Sequence, residues 1–279
     1  MIDLALVLDP ARRWADTARL AQAVEALGWH GVYVCDHFMP YDVDGAAPAG
    51  PVLEAWSTLT GLAGKTERLR LGTLVLGNTY RHPAVVARMA ATLDHVSAGR
   101  VILGLGAGWQ DNEHRALGIA LPDVPARMDA LEEACEVIVS LLRRPRTSFA
   151  GHHYRLIDAP SEPKPVQERL PLLVGGAGEK RTIPIAARWA DAWHTWCDPA
   201  TFRHKLQVLH TACEAIGRDP DQIRPISGDT LDEDGASRVL RLVAQHAAAG
   251  SHEFVLRDHR DLPVARVLRE LEAITRGLN

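Results

Sequence analysis

Short apolar runs alternate with amphipathic stretches along the whole chain. Runs of β-branched and aliphatic residues are typical of strands buried on both faces, and each is followed by a longer segment with helical periodicity. The predicted strands cover residues 2–8, 31–35, 71–76, 101–105, 172–174, 192–195, 223–227 and 253–256. The predicted helices cover residues 14–27, 53–63, 84–96, 126–142, 180–190, 199–216, 236–249 and 264–275.

Eight strand-helix pairs within 279 residues predict an α/β protein, a (β/α)8 TIM barrel that forms a single domain over residues 1–279. A doubly wound open sheet is the alternative, but such a sheet normally uses fewer strands. An irregular segment precedes the fifth strand at residues 143–170, and it contains three prolines. We predict that this insertion forms a short hairpin around Gly151 and lies on the N-terminal side of the barrel, away from the functional face.

The composition narrows the classes of partner. The chain is 47% hydrophobic and 24% charged with a net charge of -4, so it buries a large core and offers no basic surface for nucleic acid or an anionic membrane. The four cysteines form no CxxC pair, which is typical of reduced thiols, and no apolar run is long enough to cross a bilayer. The thirteen histidines show no metal-ligand spacing. We therefore expect a soluble cytoplasmic protein without a metal.

The C-terminal ends of the predicted strands carry the unusual residues, and ligands bind at that edge of parallel α/β folds. Asp36 and His37 follow the second strand, where an imidazole can move a proton near neutral pH. Capping and solvation of a loop is the alternative for this pair. Trp193 and Trp196 near the end of the sixth strand can form a wall for an aromatic ligand, although Trp193 also suits a core position.

Two glycine-rich loops follow other strands. Gly104, Gly106 and Gly108 miss the dinucleotide fingerprint because Trp109 follows them, so either a flat ligand approaches this backbone under Trp109 or the loop is merely tight. The second loop lies just before a predicted helix, where exposed amides favour an anion, although glycines that serve turn geometry alone are the alternative. Its residues are Gly175, Gly176, Ala177 and Gly178.

Acidic residues at 229–234 disfavour a phosphate after the seventh strand, where barrel enzymes often bind one. The chain also lacks the GxSxG elbow of a serine nucleophile and the HExxH metal motif. By elimination, the chemistry belongs to a bound cofactor that the barrel mouth orients.

The chain resembles the bacterial luciferase-like (β/α)8 flavoproteins, and among them the branch that uses the deazaflavin coenzyme F420. Six phrases carry the resemblance over nearly the whole chain. They are DHF at 36–38, LEAWSTLTGLA at 53–63, LRLGTLVLGNTYRHPAVVARMAATLDHVSAGR at 69–100, LGLGAGWQDNE at 103–113, GHHYRL at 151–156 with PKP at 163–165, and VGGAGEKR at 174–181.

The resemblance implies a role for each matching residue. Asp36 would contact the deazaflavin ring, His37 would be the catalytic proton donor or polariser, and Leu74-Val75 would form a non-proline cis peptide behind the ring. The other implied contacts of the ring, its ribityl chain and its phosphate are Gly106, Ala107, Gly108, Asn112, Gly175, Gly176, Ala177 and Gly178. The family also implies a homodimer.

One position departs from the family's sugar-phosphate dehydrogenases, which have a glutamate proton donor where this chain has Trp109. We expect Trp109 to line a substrate pocket. We expect Glu113, one turn further on, to cap a helix or face solvent; the alternative is that it points into the barrel mouth. Lys180, Arg181 and Arg81 are candidates for the anionic tail of the coenzyme.

The resemblance implies an oxidoreductase that transfers a hydride between coenzyme F420 and a small organic substrate. An FMN-dependent monooxygenase of the same fold is the alternative. A barrel that binds a cofactor without turnover is a third possibility.

Overall fold

The computed structural model describes residues 2–40, 50–259 and 261–278, and strands alternate with helices along most of them. The strands are β1 (Asp3–Leu8), β2 (Gly31–Val34), β3 (Arg70–Thr73), β4 (Leu76–Gly77), β5 (Val101–Gly106), β6 (Arg146–Ala150), β7 (Arg155–Pro160), β8 (Leu172–Gly175), β9 (Ala192–Trp196), β10 (Arg224–Thr230) and β11 (Glu253–Arg257). The helices are α1 (Trp14–Ala26), α2 (Ala55–Ala63), α3 (Pro83–Val96), α4 (Asp111–Leu117), α5 (Val124–Arg143), α6 (Thr182–Trp189), α7 (Pro199–Ala215), α8 (Gly235–Ala248) and α9 (Val264–Leu278), with a short 3-10 helix at Pro220–Gln222.

The parallel strands close into a barrel, which confirms the predicted (β/α)8 fold. The ring runs β1, β2, β3, β5, β8, β9, β10 and β11, and β11 pairs back onto β1. β3 and β4 are two parts of one barrel position, since both pair with β5. The chain breaks between them at Leu74-Val75, whose peptide bond is cis.

Two apolar layers hold the barrel together. The outer layer lies between the strands and the surrounding helices, and the smaller inner layer fills the barrel with side chains such as Val7, Ile102 and Val255. At the N-terminal end of the barrel, the Tyr33 hydroxyl donates to the buried Glu253 carboxylate over 2.9 Å. This packing fills the barrel interior below its C-terminal mouth.

The insertion departs from its expected position. β6 and β7 pair antiparallel and form the predicted hairpin, with Gly151 in its turn. The Glu133 carboxylate of α5 accepts hydrogen bonds from the turn amides at residues 152–154. The Tyr154 hydroxyl accepts a hydrogen bond of 3.1 Å from the Asn78 amide, which follows β4. The turn therefore reaches the C-terminal face, and its expected N-terminal position is wrong.

The structure contains a helix, α4, that the sequence analysis did not predict. It has only seven residues, with acidic residues in its first turn and Gly118 in the left-handed conformation after its last. Those end signals are recognisable, but about two turns are too short for hydrophobic periodicity to show. Among the described residues, no helix combines the length and apolar character that a bilayer crossing requires.

Candidate active site

A cavity of about 490 Å³ opens at the C-terminal mouth of the barrel. Its volume is in the range of small-ligand sites, and its wall is mostly apolar. The lining residues come from six strand ends, and they are Cys35, Asp36, His37, Leu74, Val75, Leu76, Gly77, Tyr80, Gly108, Trp109, Gly175, Gly176, His194, Thr195, Trp196 and Arg257. The two loops that the sequence singled out after β5 and β8 therefore meet at one cavity.

His37 lies in the wall of this cavity, directly after β2. Its ring meets the Trp109 ring edge to face, with the centroids 5.6 Å apart. On its other side, Nδ1 lies 3.5 Å from a carboxylate oxygen of Glu113. The imidazole is thus positioned between an indole at the cavity mouth and a carboxylate behind the wall.

Glu113 is fully buried, so the expectation of a capping or exposed side chain is wrong. One carboxylate oxygen accepts hydrogen bonds from the backbone amides of Phe38, at 3.0 Å, and Met39, at 3.2 Å. The other oxygen accepts a hydrogen bond from the Tyr80 hydroxyl. Burial raises the pKa of this carboxyl, but the contacts with His37, Tyr80 and the Phe38 amide outweigh it and lower the pKa overall. Glu113 therefore carries a negative charge beside His37.

Asp36 forms an ion pair with Arg81. Its carboxylate receives two hydrogen bonds from Arg81, at 2.7 and 3.1 Å, and one from the Gly77 amide at 3.1 Å. Burial raises the pKa of Asp36, while Arg81 and the amide oppose that rise. Arg81 also pairs with Glu54 at 2.7 Å, so it is held in the wall rather than extended toward an anionic tail.

Val75 projects from the cis peptide into the space above two glycines. A Cβ built on Gly106 would lie 2.7 Å from Val75 Cγ2, and one on Gly175 would lie 2.9 Å from Val75 Cγ1. Such separations are far below ordinary contact, so any other residue at these positions would displace Val75. Gly106 thus leaves room for Val75, and Val75 forms the cavity wall there.

The loop after β8 retains part of the predicted anion site. The Gly176 amide donates to the His194 carbonyl over 2.9 Å, and the Gly178 carbonyl accepts from Ile183 in the first turn of α6. Within the described part of the chain, the amides of Ala177 and Gly178 donate no backbone hydrogen bond. Arg181 pairs with Asp129 on the surface.

The predicted tryptophans separate into two groups. Trp109, which is 61% exposed, and Trp196 both line the cavity. Trp193 is buried on the outer side of the barrel, where its ring stacks on Phe202 at 5.6 Å and its Nε1 donates to the Gly176 carbonyl. This is the core position that the sequence left open for Trp193.

Two further predicted residues lie outside the wall. Ala107 packs against the outer core, and Asn112 is buried in α4, where its side-chain oxygen accepts the Glu113 amide at 2.8 Å. The structure therefore brings most of the predicted site together at the cavity, but these two and also Gly106, Ala177 and Gly178 do not line it.

The sequence analysis missed His194 and Arg257, which both line the cavity. The Arg257 guanidinium lies 4.4 Å from the Trp196 ring centroid. Burial, aided by the charge of Arg257, lowers the pKa of His194 to about 3, so its imidazole is neutral. Arg257 is the last residue of β11. The signal that the sequence offered for it was a polar residue directly after the predicted apolar run.

The acidic segment after β10 is less negative than its sequence indicates. Arg238 pairs with Asp229 and with Asp232, each at 3.1 Å. The argument against a phosphate there is correspondingly weaker. Over the described ranges, no group of three potential ligands could hold a metal ion.

Comparison with known proteins places this geometry in a family. The luciferase-like monooxygenase family matches residues 4–231. The chain is 34% identical over 213 residues to an F420-dependent glucose-6-phosphate dehydrogenase of Microbacterium testaceum, covering 75% of this chain and 60% of that protein. It is 32% identical over 206 residues to the F420-dependent hydroxymycolic acid dehydrogenase of Mycobacterium tuberculosis, covering 72% of this chain and 54% of that protein.

The chain therefore spans about three fifths of the curated relative matched first. Its fold resembles an F420-dependent secondary alcohol dehydrogenase, solved in complex with an F420-acetone adduct. The TM-score is 0.84 at 20% identity, and the match covers 98% of this chain and 99% of that structure. The chain belongs to the luciferase-like monooxygenase family.

Proposed function

We propose that this protein is an oxidoreductase that transfers a hydride between coenzyme F420 and a small organic substrate. The single observation that carries the proposal is the juxtaposition of His37 and Val75 in the wall of one cavity. The names of the two curated relatives, both F420-dependent dehydrogenases, support the choice of coenzyme.

The residues present fit this coenzyme. Val75 offers an apolar surface for a flat ring, and the amides of Ala177 and Gly178 lie in the loop that leads into α6, close to the helix N-terminus that favours a phosphate. When bound, a deazaflavin supplies a ring carbon that accepts or releases a hydride. Arg81 pairs with the Asp36 carboxylate, so the charge of Asp36 in the wall is balanced.

His37 moves the proton that accompanies the hydride. In alcohol oxidation its ring nitrogen takes the hydroxyl proton as the carbon loses its hydride, and in the reverse direction the imidazolium returns that proton. Trp109 and Trp196 line the mouth of the cavity, where they exclude water from the reacting groups. His194, which stays neutral, adds no competing acid.

We propose a substrate other than a sugar phosphate. Trp109 occupies the position of the glutamate that the sequence analysis attributed to the family's sugar-phosphate dehydrogenases, and an indole cannot donate a proton as that acid does. An indole instead favours an apolar substrate through contact with its face.

Turnover tests this proposal. Protein loaded with oxidised or reduced F420 is mixed anaerobically with secondary alcohols, enones and imines, and coenzyme absorbance is followed. We expect His37→Ala to lower turnover about 10²- to 10⁴-fold while coenzyme affinity is unchanged. His153→Ala, a histidine change in the exposed hairpin turn, is the control. Oxygen consumption with reduced FMN, but no turnover with F420, would instead favour the FMN-dependent monooxygenase.

We also propose a cytoplasmic homodimer, with the groove between α2 and α3 as the contact. Val85 and Val96 are 53% and 56% exposed there, beside Trp56 and Met89. Covering such a surface with a second copy would bury its apolar area. Light scattering after size exclusion tests this, and Val85→Asp should give a monomer. The four cysteines, all among the described residues, form no disulfide, which suits a reducing compartment.

A further inference from the structure

The backbone directly after β2 is hydrogen-bonded to one buried carboxylate, which comes from a helix that is not one of the eight barrel helices. Glu113 lies on α4, a helix added between β5 and α5, and behind the cavity wall it accepts hydrogen bonds from the backbone amides of residues 38 and 39. Tyr80 donates to the same carboxylate from the loop after β4. Three loops, after β2, β4 and β5, therefore converge on Glu113.

The two oxygens of this carboxylate face different groups. Oε1 accepts the Tyr80 hydroxyl, and Oε2 accepts the two backbone amides and faces His37 Nδ1 at 3.5 Å. The separation is long for a hydrogen bond, but charge attraction at this distance is strong inside a buried wall. An ionised acceptor beside Nδ1 favours a proton on that nitrogen, which leaves the Nε2 lone pair for a substrate.

His114 completes the arrangement without touching His37. Its ring stacks on Tyr80 with centroids 4.7 Å apart, and its nitrogens contact Thr79 Oγ1 at 2.7 Å and the Gln110 carbonyl at 2.8 Å. His114 thereby covers one face of Tyr80, and the Phe38 ring meets Tyr80 edge to face with centroids 4.9 Å apart, so the Tyr80 hydroxyl stays directed at Glu113. The carboxylate has little freedom to turn away from the imidazole.

We propose that Glu113 is a positioning residue for His37, which fixes the imidazole tautomer with the proton on Nδ1 and directs Nε2 to the reaction. The role of His37 in turnover rests on the proposed function, whereas the tautomer does not. Glu113 acts through His37 and stays behind the cavity wall. Carboxylates that orient a histidine in this way are typically worth about 10- to 100-fold in activity at metal sites, and we expect a similar effect here.

The tautomer is measured first, on the coenzyme-free protein. Nitrogen-15 NMR at mildly alkaline pH distinguishes a proton on Nδ1 from one on Nε2, and the His37 signals are assigned by their loss in His37→Gln. We expect the Nδ1–H form in the natural protein. A predominant Nε2–H form would overturn the proposal, and this result needs no coenzyme; the only variant it uses is His37→Gln, for the assignment.

Variants then separate orientation from structural support. Glu113→Gln removes the charge at nearly constant shape, and we expect a mixture of tautomers and a kcat lower by about 10- to 100-fold. KM and the F420 dissociation constant should change by less than about twofold, because Glu113 lies behind the wall. Equal losses in coenzyme affinity, KM and kcat, with the tautomer intact, would assign Glu113 a structural role and overturn the proposal.

Two matched variants act as controls. Tyr80→Phe removes one hydrogen bond to Glu113 but leaves its charge beside His37, so the Nδ1–H form should persist. Glu132→Gln removes an exposed carboxylate that pairs with Arg188 on the surface, and it should change neither tautomer nor kcat. If F420 fails to bind at all, the proposed function fails while the NMR result still decides the role of Glu113.

Discussion

Replacing Gly106 by alanine should destabilise the protein through one contact, that with Val75. The added Cβ would lie 2.7 Å from Val75 Cγ2, and its next contact is a backbone oxygen at 3.9 Å. Carbon atoms pack best at about 3.5–4.0 Å, so Val75 must move by roughly 1 Å. Overpacking of this kind costs about 1–3 kcal/mol.

Removing the Val75 methyls relieves the clash. Val75→Ala alone should cost about 1 kcal/mol, because the side chain is only half-buried. In the double variant, the Cβ introduced at position 106 enters the space that the methyls leave. We therefore expect the double variant to be no less stable than Val75→Ala, which means a favourable coupling of about 1–3 kcal/mol.

Urea unfolding of the natural protein, both single variants and the double variant gives this coupling. Gly64→Ala is the control, because the atom nearest to the added Cβ would be the Gly61 carbonyl oxygen, 3.8 Å away. The stability of this variant should be unchanged or slightly raised. A Gly106→Ala variant as stable as the natural protein, or a double variant whose cost is the sum of the two singles, would refute the packing of Val75 on Gly106.

Three further predictions concern stability. Among the described residues, neither ring nitrogen of the buried His246 has a hydrogen bond, and burial lowers the pKa of this histidine below 6.5. Because the unfolded chain then binds the proton more readily, stability is lost as the pH falls below 6.5. His246→Leu should flatten the pH dependence of urea midpoints between about pH 5 and 7. Arg100→Met should cost about 2–4 kcal/mol, because Arg100 donates to the carbonyls of Ala63 and Leu69; an unchanged melting temperature would contradict this. Glu133→Ala should speed amide exchange in the turn at residues 152–154 alone, whereas a global loss of protection would contradict its local role.

The barrel is predictable because its strands are short and apolar on both faces. β5 is buried at every position, and the residues around it carry clear helix signals, such as Pro83 at the first turn of α3. The break between β3 and β4 was not visible as periodicity, because the run from Leu71 to Leu76 consists of β-branched and aliphatic residues apart from Gly72, with no interruption at the break. The cis bond there came from family resemblance, and the structure has it.

The sequence predicts which strand ends form the candidate site, but it does not predict which side chains pair with each other there. His37 lies in the cavity wall as expected, since position after a parallel strand decides it. Its partner Glu113 is far away in sequence and comes from a helix too short to predict, so its burial could not be anticipated. Arg81 had the expected charge, but its pairing with Asp36 depends on how two loops fold together.

The central claim, a cavity built for F420, is tested most directly by equilibrium titration of the coenzyme-free protein with F420 and, separately, with FMN. Trp109 and Trp196 line the cavity, so a bound ring should quench tryptophan fluorescence. We predict saturable quenching by F420, with affinity at least about tenfold tighter than for FMN. Tighter binding of FMN, or no binding of either, would contradict the assignment.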